Sequence, residues 1–139
     1  MTSTLTPYVQ FPERCREALE FYASVLGGTP QIMTFGDMDP TAGEHADKVM
    51  HAYLRTDDGY ELMASDSAPG MPVDHGASIA MSLSGDDERL REHFAGLSEG
   101  GQVEVPLETQ MWGDEFGMFT DRFGVRWMVN LQGPGEQAG

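Results

Sequence analysis

The stretch RCREALEFYASVLGG, residues 14–28, decides the fold once a second stretch, DERLREHFAGLSEGG at residues 87–101, is laid beside it. In the first, Ala18, Leu19, Tyr22, Val25 and Leu26 recur at helical spacing. In the second, Leu90, His93, Phe94 and Leu97 do the same. Each ends in a glycine pair, Gly27-Gly28 and Gly100-Gly101, 73 residues apart, and such a pair stops a helix. Asp86 is a candidate N-cap for the second helix.

The flanks of the two helices also match. LTPYVQF (5–11) precedes the first helix as a strand, and SIAMSLS (78–84) precedes the second, with Ile79, Met81 and Leu83 on one face. Strands are predicted after the first helix at 29–35, 48–55 and 59–65, and after the second at 102–109, 115–120 and 125–131. Asp57-Asp58-Gly59 and Arg122-Phe123-Gly124 supply turn residues before the last strand of each half. The order strand, helix, three strands therefore occurs twice in one domain of 139 residues. Module one covers about 4–66, a linker 67–76, module two about 77–131, and a frayed tail 132–139. The polar segment 35–47 reads as a mobile loop.

Charge narrows the function classes. There are 23 acidic residues against 8 basic, a formal net charge of −15. Such a chain repels phosphate backbones and anionic membrane surfaces, so neither nucleic acid nor membrane is an expected partner. Solubility explains the acidity, with a cationic partner as the sharper alternative. Cys15 is the single cysteine, so no internal disulfide forms. Lying between Arg14 and Arg16, it is either a packed helix residue or a thiol of lowered pKa. Met1 to Thr6 carries no basic region leading into an apolar run, and no segment reaches the length of a membrane span, so the cytoplasm is the expected location.

The doubled βαβββ order resembles the vicinal oxygen chelate superfamily, which includes glyoxalase I, extradiol dioxygenases, fosfomycin-modifying enzymes and bleomycin-resistance proteins. EALEFYASVLGG, VMHAYL, YELMASD and WGDEFGMFTDRFGVRWMVN are similar to its PhnB-like subgroup, and the likeness spans about residues 4–131. It implies an α+β fold of two βαβββ modules forming a cup-shaped mixed sheet, a homodimer, and a small-molecule ligand in the cup. The subgroup is often labelled a methyltransferase. No glycine-rich strand-turn-helix of the nucleoside-binding kind is present to support that activity.

In metal-dependent relatives each module contributes one ligand from its first strand and one from its last, and the metal acts as a Lewis acid. The resemblance places these positions at Thr6 or Pro7, Glu61, Ser78 and Met128. Glu61 alone is a good ligand type for a hard divalent ion, so no resident metal or other cofactor is expected. His51 shares a face with Val49 and Tyr53, and across the predicted hairpin it lies near Glu61. The two form a candidate base and orienter, or His51 is a hydrogen-bonded sheet residue. His45, His75 and His93 read as solvent-facing. The carboxylates Asp37, Asp39, Glu44 and Asp47 lack the spacing of a calcium loop.

The aromatic run QMWGDEFGMFTDRFGVRWMVN (110–130) divides into structural and candidate ligand-binding residues. Asp121, Phe123 and Gly124 build a turn. Trp127, Val129 and Leu131 take one face of the last strand, and Met128 and Asn130 take the face bearing the superfamily ligand position. Trp112, beside Gly113, either lids the cup or packs. Tyr8, Met63 and Phe116 are further lining candidates. Three function classes follow: a metal-independent binding cup; a lyase, isomerase or dioxygenase using Glu61 and His51; and a protein-interaction module with a vestigial cup.

Overall fold

The computed structural model describes residues 3–67, 73–76 and 78–133. The chain divides into two compact units, Met1–Asp74 and His75–Gly139. Residues 68–72 of the expected linker and 134–139 of the expected tail lie outside the described residues. Among the described residues, no helix is long and apolar enough to cross a membrane.

The first unit contains β1 (Tyr8–Phe11), α1 (Cys15–Leu26), β2 (Gln31–Thr34), α2 (Phe35–Met38), a single 3-10 turn (Gly43–His45), β3 (Val49–Arg55) and β4 (Glu61–Asp66). Its four-stranded sheet runs β1-β4-β3-β2, with β1 parallel to β4 and the other pairs antiparallel. Alternation sorts the strands into two faces. Phe11, Ala52, Leu54, Leu62 and Ala64 are buried with Cys15, Ala18, Leu19, Tyr22 and Leu26 of α1. That division is what the helical spacing of 14–28 requires: one stripe of α1 meets one face of the sheet.

Two carboxylates organise the ends of this unit. Asp66 accepts the backbone N–H of Cys15 at 2.9 Å and that of Val49 at 2.8 Å, so the end of β4 holds the first turn of α1 and the start of β3. Segment 35–47 is not a plain loop. Thr34 and Asp37 form a reciprocal capping box, which nucleates the short α2.

The second unit contains β5 (Met81–Gly85), α3 (Arg89–Ser98), β6 (Gln102–Thr109), β7 (Glu115–Thr120) and β8 (Arg126–Leu131). Its sheet runs β5-β8-β7-β6, with β5 parallel to β8. The fold class is therefore the expected α+β arrangement of two βαβββ units, each with its own mixed sheet. Ile79 lies ahead of β5 and is exposed, so it does not share the buried face with Leu83. Asp86 does not cap α3: Glu88 holds the N-cap position without a side-chain cap, and Asp87 ahead of it accepts the backbone N–H of Arg89 at 2.9 Å and receives that residue's guanidinium. His93 is buried against the sheet side of α3 and is not solvent-facing.

The aromatic run is the core of this unit. Trp127 stacks on Phe119 with centroids 6.3 Å apart, and Phe94 of α3 meets Phe119 edge-on at 5.0 Å. The repeated glycine pair has a steric cause in both units. A Cβ on Gly28 would sit 2.1 Å from the carbonyl oxygen of Arg55, and one on Gly101 would sit 2.1 Å from that of Thr120. In each unit the chain leaving the helix passes directly over the third strand, where only glycine fits.

Candidate functional site

The sheet face turned away from α1 in the first unit carries the candidate residues. β-pairing sets Tyr8 beside Met63 and Met63 beside Tyr53, one row across three adjacent strands. Tyr8 is half exposed, and Met63 and Tyr53 are partly exposed. The Tyr8 hydroxyl lies 3.3 Å from Nδ1 of His51, and their rings are 5.8 Å apart. Met33 pairs with His51 and extends this surface onto β2.

His51 and Glu61 are not brought together. The hairpin register sets Glu61 opposite Arg55, four residues along β3 from His51, a separation of about 13 Å along the strand. The expected base–orienter pair therefore does not form. Glu61 instead accepts the hydroxyl proton of Tyr53 and lies 3.6 Å from the Arg55 guanidinium. The hydrogen bond to Glu61, helped by desolvation, holds the Tyr53 phenol above its ordinary pKa. Tyr53 was visible in the sequence only as a face-mate of His51. Its partner follows from register, which a turn sequence alone leaves a residue or two uncertain.

The corresponding face of the second unit carries Phe116, Met118, Met128 and Asn130, with Phe116 beside Asn130 and Met118 beside Met128. All four are partly exposed, while their strand neighbours Phe119, Trp127, Val129 and Leu131 are buried. Trp112 stands in the β6–β7 connection, 56% exposed, with its ring 6.4 Å from Phe116. Met111 beside it is almost fully exposed. Asn130 donates to Asp114 at 3.0 Å, and Asp114 also accepts the backbone N–H of Gly133. These two bonds hold the Asp114 carboxyl below the ordinary range and pin the base of the Trp112 loop. Ser78 lies ahead of β5 in an exposed stretch; the residue paired with Met128 is Ser82.

The second unit has an ionic cluster of its own on this face. Glu104 accepts from the Thr120 hydroxyl at 2.9 Å and lies 3.7 Å from the Arg126 guanidinium. Arg126 and Glu61 stand at matching places, each two residues after its turn glycine. Their opposite charges were readable in the sequence, but nothing local marked them.

Within these units the donors do not make a metal site. Among the described residues no group of three or more His, Cys, Asp or Glu side chains is placed to hold an ion. Glu61 is already engaged by a phenol and faced by a guanidinium, and a cation there would compete with both. Cys15 is fully buried, and desolvation, with Asp66 nearby, pushes its thiol up to about 12. The lowered value considered from Arg14 and Arg16 does not arise.

Comparison with known proteins agrees with this architecture. Residues 4–129 match the model of the glyoxalase/bleomycin resistance protein/dioxygenase superfamily. The crystal structure of protein PA1353 from Pseudomonas aeruginosa superposes with a TM-score of 0.83 at 41% identity, covering 95% of this chain and 99% of that one. A PhnB protein from Bacillus cereus has the same fold, with a TM-score of 0.75 at 23% identity over 93% of this chain and 99% of its own. Protein YjdN of Escherichia coli K12 is 28% identical over 91% of this chain and 94% of its own length. The chain is a member of the glyoxalase/bleomycin resistance protein/dioxygenase superfamily.

Proposed function

We propose that the protein binds a small organic molecule on the sheet faces turned away from its helices, without a tightly held metal. The observation that carries this reading is the composition of those faces. They present Tyr8, Met63 and Tyr53 in one unit and Phe116, Met118 and Met128 in the other, partly exposed where the opposite faces are closed. Aromatic rings and thioethers give a flat, polarisable surface suited to an aromatic or aliphatic body. His51 and Asn130 supply polar points beside it. Trp112, exposed next to Phe116, supports stacking on a bound ring. Family membership supports a small-molecule role and a homodimer in the cytoplasm.

The test uses N-phenyl-1-naphthylamine, a neutral fluorescent apolar probe that the net negative charge does not repel. A saturable rise in its emission is expected, with matching quenching of tryptophan. Trp112→Ala and Met128→Ala should each weaken binding about five- to tenfold, the worth of roughly 1 kcal/mol of lost contact. A linear, non-saturating response would sink the proposal. The metal-assisted lyase, isomerase or dioxygenase reading meets a different check. Stoichiometric metal in protein purified without chelator, or a saturable melting shift with Ni²⁺, Mn²⁺, Fe²⁺ or Zn²⁺ that Glu61→Ala removes, would install it instead.

A further inference from the structure

Glu61 occupies the last-strand position at which the superfamily places a metal ligand, yet the residues around it do not fit a cation. The Tyr53 hydroxyl donates to its carboxylate, and Arg55 brings a positive charge to 3.6 Å. We propose that Glu61 serves here as the acceptor that positions Tyr53, so that Tyr53 and Glu61 form a metal-free recognition element for a ligand bringing a hydrogen-bond donor. This deepens the binding function proposed above and rests on it.

The chemistry follows from where one proton goes. With its hydrogen committed to Glu61, the Tyr53 oxygen has only lone pairs to offer. It accepts from a hydroxyl or an ammonium, and the charge-assisted bond behind it makes it a stronger acceptor. Arg55 balances the carboxylate, so the element is close to neutral and does not call for an anion. The head group is thus fixed at Tyr53, and the body has a defined place to lie. Met63 and Tyr8 continue the row away from Tyr53, about 10 Å across three strands, the span of one ring with a short side chain. An aromatic or aliphatic amine or alcohol matches this row. A carboxylic acid of the same shape fits less well: the Tyr53 hydrogen is already given to Glu61, the cation at hand, Arg55, is already paired with that carboxylate, and the net charge is −15.

The experiment has two readouts on the intact protein. Alkaline ultraviolet titration of the wild type minus that of Tyr53→Phe isolates the Tyr53 step, which is expected above the ordinary phenol range. In Glu61→Gln that step should move back toward the ordinary range. Saturation-transfer NMR with 2-phenylethylamine, 2-phenylethanol and 3-phenylpropanoate then reads the head-group preference. Binding of the amine and the alcohol is expected, weakened about fivefold in Tyr53→Phe, a variant that leaves the net charge unchanged. Equal binding of the carboxylate, no effect of Tyr53→Phe, or no binding of the amine and alcohol would overturn the recognition role. A Tyr53 step in the ordinary phenol range would overturn the positioning role. A Ni²⁺-dependent melting shift lost in Glu61→Gln would return the carboxylate to metal duty. Saturable naphthylamine binding alongside a null result here would show that this inference fails while the binding function stands.

Discussion

Removing the Asp121 carboxylate should cost the second unit far more than removing its counterpart costs the first. Asp121 is buried, at 3% exposure, in the turn between β7 and β8. Its carboxylate accepts the backbone N–H of Phe123 at 2.8 Å, that of Val125 at 3.1 Å and the indole N–H of Trp127 at 2.9 Å. Asp121→Ala leaves these three donors facing a space that water enters incompletely. Each bond to a charged acceptor contributes about 1.5 kcal/mol, so the expected loss is about 3–5 kcal/mol after partial rehydration. Thr56 stands at the same place in the first unit, 65 residues earlier. Its hydroxyl accepts the N–H of Tyr60 at 3.1 Å, a neutral bond, and Thr56→Ala should cost about 1 kcal/mol. Urea unfolding followed by tryptophan emission and by circular dichroism measures both. A third variant, Trp127→Phe, followed by circular dichroism, keeps a ring against Phe119 but removes the indole donor together with buried volume, so its loss is an upper limit on the worth of that one bond. Losses for Asp121→Ala and Thr56→Ala within 0.5 kcal/mol of each other would refute the claim that the carboxylate carries this turn.

Two further outcomes are expected. Cys15, with its thiol at about 12 and no exposed surface, should not react with an aromatic disulfide at pH 8 until denaturant is added; modification of the folded protein within minutes would contradict the packing of α1. Arg89, through its guanidinium and its backbone N–H, lowers Asp87 to about 2. The unfolded chain therefore takes up this proton first as pH falls from about 4. The stability from Asp87 is complete above that range and is lost as pH falls toward 2. Asp87→Asn should flatten the acid limb of the melting curve over that interval, and an unchanged slope would remove Asp87 from the start of α3.

The architecture was legible because it is written twice. Helical spacing, a glycine pair and a turn glycine recur in the same order, and each has a steric or burial cause that acts locally. Gly28 and Gly101 are the clearest case: the same close approach to a third strand demands the same residue. The two faces of β8 could likewise be read from alternation, and Trp127, Val129 and Leu131 are buried as that alternation requires. The errors fall where a local pattern had two readings. Asp86 and Asp87 are both acceptable partners for the start of α3, and the choice depends on where β5 ends and on the Arg89 side chain. Segment 35–47 is polar enough for a loop, yet Thr34 and Asp37 satisfy each other's backbone and make a turn of helix. His93 is polar by type but sits on the buried stripe of α3, between Leu90 and Leu97 in the helical pattern. Position outweighed polarity there.

The candidate site was less legible for a different reason. Its residues are set by cross-strand register, and a shift of two residues keeps every side chain on the same face while changing every partner. His51 and Glu61 were placed on the correct common face and with the wrong neighbours. The register Arg55 to Glu61 exchanges a histidine for a tyrosine at the carboxylate. That exchange alters the chemistry more than any substitution at the site would. A histidine beside a carboxylate is a base that can move a proton near neutral pH. A phenol whose ionisation the same carboxylate opposes keeps its proton near neutral pH. The register of this one hairpin therefore replaces a base that titrates near neutrality with a hydrogen-bonded phenol, and the recognition role proposed for Tyr53 rests on that replacement.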